Sequence, residues 1–94
     1  MWCSYVNDPA ASPLRVAFSV GRAVGPATVR NLVRRRLRAL VTAAADRLDI
    51  GHGWLLIGTR PAAAKRTFAQ LAAEVTELLT RTVVPAADAV GNRA

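Results

Sequence analysis

Long apolar runs, cysteine, lysine and aromatic side chains are all scarce in this chain, and each scarcity excludes something. No stretch approaches the roughly 18 apolar residues of a membrane span. Cys3 is the only cysteine, so no internal disulfide can form, which suits a reducing compartment. The N-terminus shows no basic segment followed by an apolar core, so it does not read as a secretory signal. The expectation is a soluble, cytoplasmic protein. His52 is the single histidine and has no Cys or His at ligand spacing, which argues against zinc. Asp46 and Asp49 look like polar turn residues near glycines, and no acid/base pair follows from them. A stand-alone enzyme is therefore a poor reading.

What remains is short and basic. Ninety-four residues make one domain with a modest core. Thirteen Lys and Arg face six Asp and Glu, for a formal net charge of +7. Lys65 is the only lysine among the thirteen. Arginine's planar fork matches phosphate and stacks on bases, so the balance favours a polyanionic partner, either nucleic acid or an anionic membrane surface.

The apolar spacing predicts the elements. Residues 1–6 supply a short, weakly alternating strand, and residues 7–13, with Pro9 and Pro13, a loop. Val16, Phe18 and Val20 alternate with Arg15, Ala17 and Ser19, which predicts a half-buried strand. Phe18 reads as core, whereas Arg15, Ala17 and Ser19 point to the other face. Gly25 caps a helix that starts at Pro26, runs to Asp46 or Leu48, and is ended by Gly51 and Gly53. Trp54–Gly58 reads as a buried strand with Trp54 in the core. A second helix starts at Ala62 or Ala63, carries Leu71, Val75, Leu78 and Leu79 at helical spacing with Phe68 one turn earlier, and ends near Thr82. Residues 83–94 are expected to be a frayed tail. This order indicates a single α+β domain over 1–94, a small sheet packed against helices.

The informative segment is Arg30-Asn31-Leu32-Val33-Arg34-Arg35-Arg36-Leu37-Arg38. On a helical wheel of about 100° per residue, Arg30, Arg34, Arg38, Asn31 and Arg35 share an arc of roughly 140°. Val29, Leu32, Val33, Leu37 and Leu40 fill the opposite arc. Arg36 falls among them, where its stem can lie against apolar neighbours while its head reaches water. No acidic residue between Val24 and Ala45 offsets these like charges. An ordinary solvated helix face mixes signs. An unmixed one costs stability unless a polyanion covers it, so this face reads as a phosphate-contact surface. Asn31 can both donate and accept, and so can meet a base edge or a ribose hydroxyl. Arg60, Lys65 and Arg66 form a second basic cluster that is a further candidate contact.

Ser19-Val20-Gly21-Arg22-Ala23-Val24-Gly25, then Ala27-Thr28-Val29-Arg30-Asn31 and Arg34-Arg35-Arg36-Leu37-Arg38, resemble the bacterial ribonuclease P protein family. Trp54–Ala63, with its Arg-Pro exit, resembles that family's later strand. The likeness runs from about Pro9 to Leu79. It implies a ribosomal-protein-S5-domain-2-like fold in which the motif helix forms a left-handed βαβ crossover. It implies a non-catalytic subunit of an endoribonuclease, whose RNA subunit holds Mg2+ and hydrolyses the phosphodiester, with no cofactor bound by the protein alone. The partners implied are the ribonuclease P RNA and precursor tRNA with its 5′ leader. The protein would be a monomer within the ribonucleoprotein, off any membrane. Carried over by position, Arg30, Asn31, Arg34, Arg35 and Arg38 face RNA, Arg22 reaches a phosphate, and a cleft on the sheet holds the leader. Leu32 stands where the family often has a basic residue, and Pro26 where it often has asparagine. The family's basic N-terminal helix has no counterpart here, so the resemblance implies a shortened member whose leader cleft is only partly built. The alternative is a basic RNA-binding module, ribosomal or otherwise.

Overall fold

A computed structural model describes the backbone of residues 1–91 and side chains through 87. The sheet holds β1 (Trp2–Val6), β2 (Arg15–Ser19) and β3 (Trp54–Gly58) in the order β1-β3-β2. β3 pairs antiparallel with β1 and parallel with β2, in a register that aligns Val6, Trp54 and Arg15 across the sheet. Parallel neighbours need a crossover, and α1 (Ala27–Arg47) supplies it.

Helix α1 starts one residue later than expected, with Pro26 as its extended N-cap. Its end also differs. Asp49, not a glycine, takes the left-handed conformation (φ 57°), and the Ile50 amide donates back to the Ala45 carbonyl. Aspartate tolerates that conformation better than most residues. Gly53 is needed slightly later. At φ 106°, with Tyr5 and the Val6 carbonyl 2.7 Å from where a Cβ would stand, only glycine fits.

The second helix is shorter at its start than the apolar stripe suggested. Pro61–Lys65 forms a 3-10 turn, and α2 spans Phe68–Leu78. Thr67 accepts from the Gln70 amide while the Gln70 side chain accepts from the Thr67 amide, a reciprocal cap that fixes the boundary. Phe68 therefore lies in the first turn, half-exposed, rather than in the core. The expectation of a frayed tail from Val83 is corrected as far as residue 91. A π turn over Leu79–Val83 leads into α3 (Val84–Gly91). Pro85 has no amide hydrogen to give the preceding turn, and a widened turn just before it accommodates that loss. Val83 is fully buried, and the Asn7 side chain donates to the Ala86 and Ala87 carbonyls, which ties α3 to the loop after β1. Residues 92–94 of that tail call lie outside the described residues.

The core joins Val33, Leu37 and Val41 of α1 to Leu55 and Ile57 of β3, with Val75, Leu79 and Val83 closing it. One face of the sheet receives the helices. The other, carrying Trp2, Ser4, Val6, Arg15, Ala17, Ser19, Trp54 and Leu56, has no layer over it among the described residues.

Candidate nucleic-acid interface

The polar face of α1 is exposed at Asn31, Arg35 and Arg38, as the wheel predicts, and half-buried at Arg30 and Arg34. Val33, Leu37, Val41, Ala44 and Ala45 are buried, and Asn31, Arg35 and Arg38 are exposed on the other side of the helix. Arg30, Arg34 and Arg36 are half-buried, with stems against the helix surface. Among the described residues no carboxylate lies within 4.0 Å of any of the five arginines between Arg30 and Arg38; the ion pairs are Arg66–Glu74 at 3.4 Å and Arg81–Glu77 at 3.5 Å. Arg34 instead donates to the Asn31 side-chain oxygen at 3.1 Å. That bond occupies the Asn31 side-chain oxygen and leaves its amide nitrogen without a partner among the described residues. Arg30 Nε is shut from solvent with no acceptor, a donor left unmet in the isolated chain.

The expected additional contacts separate. Arg22 lies exposed in the 3-10 turn Arg22–Val24, between β2 and α1. Arg60 and Lys65 are exposed at and beside the Pro61 turn, whereas Arg66 spends part of its charge on Glu74. Arg15 and Ser19 lie on the open face of the sheet, away from the α1 arginines.

That open face holds residues the sequence reading placed wrongly. Trp54 is 51% exposed, not core, because the helices cover only one side of β3 and its odd-register neighbours point the other way. The Arg15 guanidinium stands 5.9 Å from the Trp54 ring centroid, and the indole N–H donates to Asp8 at 3.0 Å. This bond first, and then the Ala10 amide, holds the Asp8 carboxyl below its usual range. Trp2, at the opposite corner, lies flat over Gly58, where any Cβ would collide with its ring. Together with Val6 and Leu56, the two tryptophans make an apolar plate edged by one arginine. A hollow of about 520 Å3 opens on it, lined by Ser4, Val6, Arg15, Ala17, Trp54 and Leu56 among others. An uncovered plate of aromatic rings beside a cation can stack unpaired bases. The alternation of β2, continued through Trp54 and Leu56, was the signal that could have exposed this face.

Burial pushes the Cys3 thiol up against a weaker opposing bond from Thr82, so at neutral pH it is a protonated packing residue. No group of three or more His, Cys, Asp or Glu able to hold a metal occurs among the described residues. No helix among them is long and apolar enough to cross a membrane.

Comparison with known proteins places these features. Residues 2–83 match the protein family described as Ribonuclease P. The ribonuclease P protein component of a Nocardioides species is 43% identical over 77 residues, 81% of this chain and 65% of that protein. Its counterpart from Acidothermus cellulolyticus is 46% identical over 69 residues, 71% of this chain and 55% of that protein. The chain thus spans between about half and two thirds of these relatives' length. The Staphylococcus aureus RNase P protein structure superposes with a TM-score of 0.75, covering 87% of this chain and 73% of that one. At 21% identity that likeness speaks to the fold.

Proposed function

This chain belongs to the ribonuclease P protein family, and on that footing we propose that it is the protein subunit of a ribonuclease P, docking on the catalytic RNA and assisting removal of the 5′ leader from precursor tRNA. The observation that carries the reading is the face of α1. Arg30, Arg34, Arg35 and Arg38 surround Asn31 with no carboxylate partner among the described residues. Such a face is stabilised by phosphates and by little else. Arg22 extends it toward β2. Family membership supports assigning the hydrolysis and its Mg2+ to the RNA.

The single-stranded leader takes the open sheet face. Trp54 and Trp2 offer stacking surfaces, and Arg15 and Ser19 offer phosphate and hydroxyl contacts. One monomer per RNA, working in the cytoplasm, completes the proposal. Family membership also supports a left-handed β2–α1–β3 crossover.

The test is reconstitution. The chain is added to a ribonuclease P RNA and precursor tRNA at low magnesium, and 5′ cleavage is followed. Stimulated cleavage that is lost in an Arg35→Ala/Arg38→Ala double variant is the expected result. Tight RNA binding with no gain in cleavage would replace this reading with that of a plain RNA-binding module.

A further inference from the structure

The free edge of β2 carries a second feature that phosphate docking does not use. The Arg15 amide donates to the Gly53 carbonyl and the Ser19 carbonyl accepts from Thr59, so these residues turn their main chain toward β3. In a parallel ladder the alternate residues turn the other way. The main-chain groups of Val16 and Phe18 therefore face outward, without a partner among the described residues.

Across from this edge stands the arginine face of α1. Between them runs a groove of about 800 Å3, lined by Leu14, Val16, Val41 and Ala45, with Arg35 and Arg38 on one rim and Asp46 toward the other end. It continues into a slot of about 250 Å3, lined by Leu14, Val16, Phe18, Arg38, Val41 and Thr42. The Arg38 guanidinium stands 5.6 Å from the Phe18 ring centroid, so one wall of the slot is a flat cation–aromatic pair.

From this the geometry points to a pocket for one unstacked nucleobase of the docked RNA. This rests on the proposal that α1 docks on RNA. The apolar floor takes the base's flat face, and the base packs against the paired Arg38 and Phe18 without parting them. The outward main chain of Val16 and Phe18, with the Thr42 hydroxyl, offers donors and acceptors to its polar rim. Arg35 meets the attached phosphate, while Asp46 repels phosphate from the far end and so fixes direction. Charge selects the occupant: Arg35 and Arg38 have no carboxylate partner among the described residues and lie on the same face as Arg30, Asn31 and Arg34. A peptide strand added along β2 would have to displace Arg38 from Phe18, whereas a single base need not.

The experiment is an amide and methyl NMR titration of the full chain with three probes: a pentauridine or pentaadenosine RNA, an abasic phosphodiester oligomer of the same length, and oligoglutamate. The RNA should shift the Val16 and Phe18 amides and the Thr42 methyl. The abasic oligomer should move α1 arginine signals but leave those three in place. Phe18→Leu should weaken the RNA about tenfold, as loss of one stacked base does, with no change for the abasic oligomer. Thr42→Val, a surface change that spares the core, should reduce the difference in affinity between uridine and adenosine. Equal shifts from the abasic oligomer, stronger ones from oligoglutamate, or none at Val16 and Phe18 with RNA would each overturn the pocket. The outcomes separate cleanly from the subunit reading. Base-dependent shifts without stimulated cleavage keep the pocket and remove the subunit role, and the reverse pattern removes the pocket alone.

Discussion

Replacing Arg34 with glutamine should make the isolated chain more stable and its RNA complex weaker. Arg34 has an arginine four residues before it and another four after it, Arg30 and Arg38. Each like-charge pair at that spacing costs a helix about 0.2–0.5 kcal/mol at low salt. Relieving two of them returns about 0.4–1 kcal/mol, from which the shorter half-buried stem takes back a few tenths. The lost bond to Asn31 is exposed and contributes little. Glutamine keeps good helix propensity, so backbone effects stay small. For a domain this size the net gain raises Tm by up to about 5 °C. In 1 M salt the Debye length falls to about 3 Å, and the gain should vanish. In binding, one lost phosphate contact should flatten the log–log salt dependence by about 0.7–0.9. Thermal melts at two salt concentrations and a salt titration of RNA affinity read both signs. A variant that melts lower at both salt concentrations, or binds RNA with an unchanged slope, refutes the claim that this face is strained for the sake of a polyanion.

Three further outcomes follow from single contacts. Leu37 is fully buried at the centre of the core, so Leu37→Ala should cost about 2–5 kcal/mol by chemical denaturation, a large part of a small domain's stability. Thr67→Ala removes the reciprocal cap of α2 and should cost about 1 kcal/mol, read as a Tm lowered by roughly 4–8 °C. Asp8 is held as a carboxylate by the Trp54 N–H, so its contribution is present above the unfolded value near 3.8 and is lost as pH falls through the lower folded value. In a Trp2→Phe background, Trp54 fluorescence should change across that acid range, and the change should disappear in Asp8→Asn.

Much of the fold was legible because alternation and helical spacing are local. The period-two pattern of Val16, Phe18 and Val20 gave β2, and the wheel gave α1 with its arginines outside and Leu37 inside. Three things were not local. The start of α2 was set by Thr67 and Gln70, which form a cap only when each reaches the other's amide, while the alanines before them extended the apparent helix. Helix α3 was held at Ala86 and Ala87 by Asn7, some eighty positions away. Trp54 sat in an apolar run, Trp-Leu-Leu-Ile-Gly, that reads as buried on both faces. It is exposed because only one face of the sheet receives helices, a fact about layers that no window of β3 contains.

Strand β2 decides how these surfaces can work together. Its odd residues Arg15, Ala17 and Ser19 belong to the open plate, and its even residues Val16 and Phe18 belong to the groove beside α1. A period of two thus turns alternate side chains of one strand toward two interfaces that share its backbone. On the proposed docking along α1, the RNA would leave the plate uncovered for a second strand. The two should then contribute independently. Substituting Trp54 and Arg35 together should lower affinity for a leader-bearing substrate complex by the sum of the single effects, within about 0.5 kcal/mol. A larger coupling would mean that one RNA segment wraps the edge of β2 and touches both faces at once.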